Sequence, residues 1–251
     1  LRNMSFFAAY SQLNITINEI ERVFNWFKNS FLTPITPKIN LTKYTNKQVE
    51  EDEKIREFAL EFLSKADFNI SDIRFIEETQ NLDETILNII KNSRDIPEKE
   101  KERLIKEKSI KLKNLTFEHT VAQGKFQLSE NLQSAGTLRY YSLSAPIMKM
   151  LTQNSFLAID EIDSSLHPEL IAHLVQRFLK ESDKAQLLLT THNTSLLNEK
   201  DLLRKDAIWF TDKNKDGGTE LYSMADFNFR KELSWYNAYK IGKFGGVPDL
   251  D

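Results

Sequence analysis

The chain has 251 residues, with 34 basic and 37 acidic side chains and a net charge of −3, so it is no polycation and nucleic acid would need a local basic patch. Hydrophobic residues make up 40% and charged residues 28%, the balance of a globule with its own core, and no run of about 18 apolar residues exists to span a membrane. Cysteine is absent, which excludes disulfides, thiolate zinc sites and cysteine nucleophiles, and 4 histidines leave little room for a histidine metal cage.

With 7 glycines and 6 prolines, long regular elements and few tight turns are expected. Residues 12–31 set Ile17, Ile20, Phe24, Phe27 and Phe31 at steps of three and four, which predicts a helix with one apolar face, capped by Asn14 or Thr16. The two prolines of Thr33–Pro37 end it. A second amphipathic helix is predicted from about Lys47 to Ala66, with Ile55, Phe58, Ala59, Phe62 and Leu63 as its stripe. Residues 69–78 alternate and read as a short strand. Residues 80–110 carry charges of mixed sign, which suits a solvated helix or hairpin tip better than a nucleic-acid contact.

From Lys111 the texture changes. LTFEHTV and GKFQLSE read as two strands around Gln123 and Gly124. A helix opens near Ser134 and runs to about Thr152, with a possible kink at Pro146. FLAID (156–160) and QLLLTTH (186–192) are compact apolar runs that suit buried parallel strands, and HPELIAHLVQRFLKES between them is a helix with Pro168 in its first turn. Its apolar face is Leu170, Ile171, Leu174, Val175 and Phe178. AIWF and ELYSM flank a DKNKDGGT turn as a hairpin, and KELSWYNAYKIGKF closes as a helix. Strands alternating with helices over 155–192 predict a parallel α/β sheet.

The chemistry gathers on that sheet. Parallel strands end at the edge where ligands bind, so Asp160 and Glu161 are expected in a crevice. Asp160 suits Mg²⁺ held through water, and Glu161 suits orienting or deprotonating an attacking water. The plainer reading, that the pair begins a loop and caps the next helix, stays open at this point. His192 ends the second strand, where it can donate to a phosphate oxygen or serve as a hydrogen-bonded structural histidine. Ser134, Ala135, Gly136 and Thr137 open a helix whose amides and dipole favour an anion, although a serine cap explains them as well.

In order, these are a Ser-x-Gly helix start, a strand ending Asp-Glu, a Ser-Ser-Leu-His-Pro loop and a strand ending in His. That succession resembles the catalytic half of ABC-type ATPases, and most of all bacterial AAA-family ATP-binding proteins near the RecF, SMC and OLD group. LAIDEIDSSLHPEL and LLLTTHNTSLL are similar to that group's Walker B, D-loop and switch-histidine segments. The resemblance is strongest over 128–195. It extends loosely to MSFFAAYSQLN and YKIGKFGGVPDL.

The resemblance implies an α/β fold: the C-terminal lobe of an ABC-type P-loop ATPase, a parallel sheet flanked by helices, with a mostly helical insertion. It implies residues 1–11 as the end of an N-terminal ATPase lobe, 12–110 as the insertion or arm, and 111–251 as the C-terminal lobe. It implies Ser134, Gly136 and Thr137 as a signature segment touching the γ-phosphate of ATP on a partner protomer. Asp160 would be the Mg²⁺ ligand, Glu161 the catalytic base, Ser164, Ser165, Leu166 and His167 the D-loop, and His192 the switch histidine. The signature keeps only the Ser-x-Gly core of the Leu-Ser-Gly-Gly-Gln form, which argues against a transporter.

A P-loop needs Gly-x4-Gly-Lys-[Ser/Thr]. Here Gly124-Lys125 and Gly242-Lys243 are preceded five residues earlier by His119 and Asn237, and followed by Phe126 and Phe244. Neither is a Walker A. The chain opens on Leu1 with no leader segment, and is therefore expected to be a cytoplasmic piece of a longer protein, its phosphate cradle on an N-terminal lobe. The expected function is an ATP-hydrolysing head-to-tail dimer switch in DNA-linked processes or phage defence. The alternative is a regulatory subunit controlling a separate nuclease or toxin. A histidine metalloenzyme built on His167, His173 and His192 is disfavoured, because His173 lies mid-helix and is expected to face solvent.

Overall fold

The structure, a computed structural model, describes residues 3–13, 15–66, 68–93, 95–199, 201–228 and 234–247. It divides into two compact units, Leu1–Asn40 with Pro146–Asp251, and Leu41–Ala145. The boundaries expected from sequence stood instead at 11/12 and 110/111.

In the first unit, α1 (Phe6–Tyr10) is capped by Ser5, and α2 (Asn18–Ser30) follows. The α2 helix begins later than its apolar spacing predicted. Ile17 occupies the cap position without a side-chain bond, so Thr16 is not the cap, and Asn14 lies outside the described residues. The Tyr10 hydroxyl fixes the start of α2 by accepting from the Ile17 amide (3.2 Å) and donating to Glu21 (3.0 Å). The proline stretch does end the helix, but it then does something its composition hid. Phe31 and Ile35 bridge in parallel to Phe156 and Ile159, so 31–35 forms an edge of the parallel sheet.

The second unit opens with α3 (Thr42–Glu51) and α4 (Glu53–Ser64). The single helix predicted over 47–66 is thus two. Asp52 leaves the helical region (φ −135°, ψ 112°), and its carboxylate caps α4 by accepting from the Lys54 amide at 2.8 Å. Next, β1 (Ile70–Asn81) pairs antiparallel with β2 (Ser109–Val121), which pairs with β3 (Gly124–Ser129). The charged stretch between β1 and β2 folds as two helices, α5 (Glu84–Asn92) and α6 (Glu98–Glu107). Asp72, Arg74, Glu118 and Lys125 tie the sheet together: Arg74 pairs with Asp72 (2.8 Å) and Glu118 (3.0 Å), and Lys125 with Glu118 (2.7 Å).

The α7 helix (Ala135–Thr152) carries buried Tyr140 and Tyr141. Tyr140 stacks on Phe62 at 4.1 Å, and Tyr141 meets Phe117 edge-on at 5.2 Å. Pro146 lies inside α7 and has no N–H for the carbonyl four residues back. That carbonyl, on Ser142, accepts instead from the Thr45 hydroxyl at 2.6 Å, and Thr45 is wholly buried.

The chain then returns to the first unit. There β4 (Phe156–Ile159), α8 (Pro168–Glu181) and β5 (Gln186–Leu189) form a strand–helix–strand unit whose strands are parallel and in register Phe156↔Gln186 to Ile159↔Leu189. The parallel order is therefore 31–35, β4, β5. The α8 helix buries Ile171, Leu174 and Val175 and half-buries Leu170 and Phe178. His173 is half-buried, not turned fully to solvent. An antiparallel hairpin, β6 (Trp209–Lys213) and β7 (Thr219–Ser223), packs with α9 (Trp235–Lys240) around Phe210, Met224, Trp235, Ala238 and Phe244. The final helix stops at Lys240, before its predicted end, where the chain turns at Gly242 (φ 72°) and Gly245 (φ 67°), and residues 231–233 of the prediction lie outside the described residues. A Cβ on Gly245 would lie 2.4 Å from the Tyr222 hydroxyl oxygen, and the positive φ strains any other residue there. Among the described residues no helix is long and apolar enough to cross a membrane.

Candidate functional site

The site grows from the ends of β4 and β5. The β4 strand is apolar through Ile159, and the chain then leaves the sheet at Asp160. The Asp160 amide still donates to the Ile35 carbonyl (2.8 Å), so the edge segment fixes where the strand stops. Glu161 follows at φ 46°, a left-handed conformation that costs a non-glycine residue roughly 1–2 kcal/mol and recurs at functional sites. Ser165 in the same loop has φ 65°.

Thr190, just past β5, holds both acidic residues. Its hydroxyl donates to Asp160 Oδ1 (2.6 Å) and accepts from the Glu161 amide (2.8 Å). Its carbonyl accepts from the Ile162 amide at 3.0 Å. One threonine thereby sets the direction of the chain through the acidic pair. Asp163 makes the reciprocal tie. Its Oδ1 accepts from the Thr191 hydroxyl (2.7 Å) and from the His192 amide (3.3 Å). The β4 and β5 ends are thus cross-braced by two hydroxyls and two carboxylates, and His192 joins the rim through its backbone. The residues 190–192, expected as the end of a strand, form this loop instead.

The sequence motifs single out Asp160, Glu161 and His192 but not Thr190, Thr191 or Asp163. The only signal for them was the pairing of hydroxyl and carboxylate types at two strand ends. Asp160, Glu161 and His192 are all exposed, on an open rim rather than in the expected crevice. A groove of about 330 Å³ in this unit is lined by Glu169, His173, Gln176, Glu199 and Asp201 among others, and none of the three rim residues belongs to it. Ser164, Ser165, Leu166 and His167 form the turn into α8. Leu166 is buried, and His167 occupies the cap position, with Nδ1 accepting from the Glu169 amide at 3.4 Å.

Ser134, Gly136 and Thr137 form a second group, in the other compact unit. The Ser134 hydroxyl accepts from the Thr137 amide (3.0 Å) and shares a hydrogen bond with the Thr137 hydroxyl (2.8 Å), a serine cap on α7.

Chemically, Asp160 and Glu161 are hard oxygen donors on a rigid strand end. Among the described residues no three His, Asp or Glu side chains cluster to cage a metal. Mg²⁺ takes one or two carboxylates, with water and phosphate oxygens completing its shell. The Asp160 carboxylate has one oxygen engaged by Thr190 and stands exposed, which suits a hydrated cation.

No curated protein matches this chain. A solved chain described as "Structural biochemistry of ATP-driven dimerization and DNA stimulated activation of SMC ATPases" is similar at 19% identity, over 79% of this chain and 95% of that one, with a TM-score of 0.42. The family model described as "AAA domain, putative AbiEii toxin, Type IV TA system" matches residues 17–198, from the start of α2 through the rim, and the chain belongs to that AAA domain family.

Proposed function

We propose that this chain is the part of an ABC-type ATPase that supplies the metal-binding and water-activating carboxylates, and that it works as a nucleotide-driven dimer switch. The observation that carries the reading is the Asp160–Glu161 pair at the carboxyl end of a parallel strand, held by Thr190 in a strained turn. In this reading Asp160 holds Mg²⁺, which would neutralise the triphosphate, and Glu161 orients and deprotonates the attacking water. His192 donates to the terminal phosphate, Ser164 to His167 relay between protomers, and Ser134, Gly136 and Thr137 meet the nucleotide of a second copy in a head-to-tail dimer.

No residue run here makes a phosphate-cradling loop, so the reading requires one from an N-terminal lobe. The sheet supports the side on which it arrives. Gln186 N and Thr190 N donate to Ser155 O and Ile159 O, both at 3.0 Å, so the main-chain groups of Leu187 and Leu189 face away from β4. Among the described residues no strand pairs with them. Leu188 is 52% exposed, although a leucine-rich parallel strand belongs between covering layers. The opposite edge carries Pro34, which has no N–H to offer a neighbour. A further parallel strand on β5 would end beside Thr190–His192, and the loop after it would bring backbone amides to the acidic rim.

The test uses the complete protein. Glu161→Gln should slow ATP hydrolysis about 10²–10⁴-fold while ATP binding persists. Wild-type turnover by that variant would remove Glu161 from the chemistry. A second reading makes the ATPase the regulator of a separate nuclease or toxin, and it is supported by the toxin–antitoxin wording of the family description. Co-purification of an effector that leaves on ATP hydrolysis is its test. A DNA-acting machine would instead lose DNA affinity steeply with salt.

A further inference from the structure

His192 is exposed, and no hydrogen bond among the described residues orients its ring. Its place is therefore set through its backbone, which is braced on both sides. Toward the C-terminus, the Asn193 side chain accepts from the Ser195 amide (2.8 Å), and the 3-10 turn Thr194–Asn198 buries Leu196 and Leu197. Across the rim stands Asp163. Its Oδ1 takes both the Thr191 hydroxyl (2.7 Å) and the His192 amide (3.3 Å). The Thr191 oxygen in turn accepts from the Asn193 amide at 2.9 Å. One carboxylate oxygen thus fixes the path of three successive residues, with His192 in the middle.

Asp163 is itself rigidly seated. It follows Ile162, which is fully buried and donates its amide to the Thr190 carbonyl (3.0 Å). The Asp163 carbonyl accepts from the amide of buried Leu166 (3.2 Å), and the Ser164 amide donates to the Glu161 carbonyl (2.9 Å). The backbone of Asp163 therefore belongs to the turn that carries Glu161, while its side chain belongs to the loop that carries His192. Consecutive threonines divide the work, Thr190 serving Asp160 and Thr191 serving Asp163. An ionised carboxylate accepts both bonds and strengthens each by its charge. Misplacing a reacting group by about 1 Å can cost about 10²-fold in rate, so such a tie matters most for a group that must meet a transferring phosphate.

We infer that Asp163 is a positioning residue for the ATPase reaction, which acts through His192 by holding its backbone in register with the turn that carries Glu161. This rests on the reading that His192 donates to the terminal phosphate. Asp163 touches neither nucleotide nor metal in this arrangement. It sets where the histidine stands relative to the attacking water.

The experiment measures steady-state ATP hydrolysis by the complete protein, well below the melting temperature of every variant. Asp163→Ala should lower kcat about 10- to 100-fold with KM for ATP within about 3-fold of wild type, the mark of an interaction used in the transition state. Asp163→Asn keeps an oxygen acceptor and should recover most of that loss. Thr191→Val keeps the shape, frees one side of the carboxylate and should lower kcat by a smaller factor. His192→Ala should lower kcat about 10²- to 10³-fold. In that background Asp163→Ala should cost less than about 2-fold more, because its route of action is gone. Wild-type kcat in Asp163→Ala, a change confined to KM, or full additivity with His192→Ala overturns the inference and leaves the ATPase reading intact. Wild-type turnover by His192→Ala removes the histidine from the proposed chemistry and overturns the inference with it.

Discussion

Glu161 is held at φ 46° and anchored by Thr190, a residue 29 positions away in sequence. Strain of that kind persists only where neighbours over-determine it. Thr190→Val keeps the shape but removes the hydroxyl that serves Asp160 and the Glu161 amide. In the complete protein it should cost about 1 kcal/mol of stability and lower ATP turnover well beyond that loss, whereas Thr190→Ser should retain activity. Turnover by Thr190→Val equal to wild type would mean that the threonine positions nothing the reaction needs. The place of Asp160 and Glu161 at a strand end was legible in the sequence, because an apolar run that ends in acid marks a strand leaving a sheet. Thr190 and Asp163 were not, because their meaning lies in which strand end each faces, and β4–β5 pairing alone decides that.

At the scale of elements, spacing found the stripes and missed the interruptions. Ile55, Phe58, Phe62 and Leu63 do lie on one helix, but Asp52 caps its start and separates it from α3, a local hydrogen bond that outweighs continuous periodicity. The 31–35 segment reads as a breaker because of Pro34, with Pro37 just beyond it, yet at a sheet edge a missing N–H costs nothing. The β1–β2–β3 sheet depends on charges as well as on its ladder. Lys125, by hydrogen bond first and then by charge with Arg74, holds the Glu118 carboxyl below its ordinary value of 4.5, although desolvation opposes them. A depressed carboxyl pKa stabilises the fold above the unfolded value, and that contribution is lost as pH falls through the folded one. The melting temperature should therefore drop as pH falls below about 4.5, and Glu118→Gln should flatten that drop. A wild-type curve no steeper than that of Glu118→Gln would show that the pairing contributes nothing to acid stability.

At the scale of the whole molecule, the alternation of strand and helix over 155–192 was legible, and so was the final hairpin. The division into units at Asn40/Leu41 and Ala145/Pro146 was not. No composition shift marks either point, and the second falls inside a continuous helix. There the fold makes two distant residues depend on each other. Pro146 deprives Ser142 of its helical donor, and Thr45 supplies one. Thr45→Val should strand a buried carbonyl and cost about 1–3 kcal/mol by chemical denaturation. In a Pro146→Ala background the restored amide can take over, so the same change should cost far less. A double-mutant cycle that proved additive would deny the compensation. If the coupling holds, Thr45 and Pro146 form an epistatic pair in which drift at one site is tolerated only after change at the other.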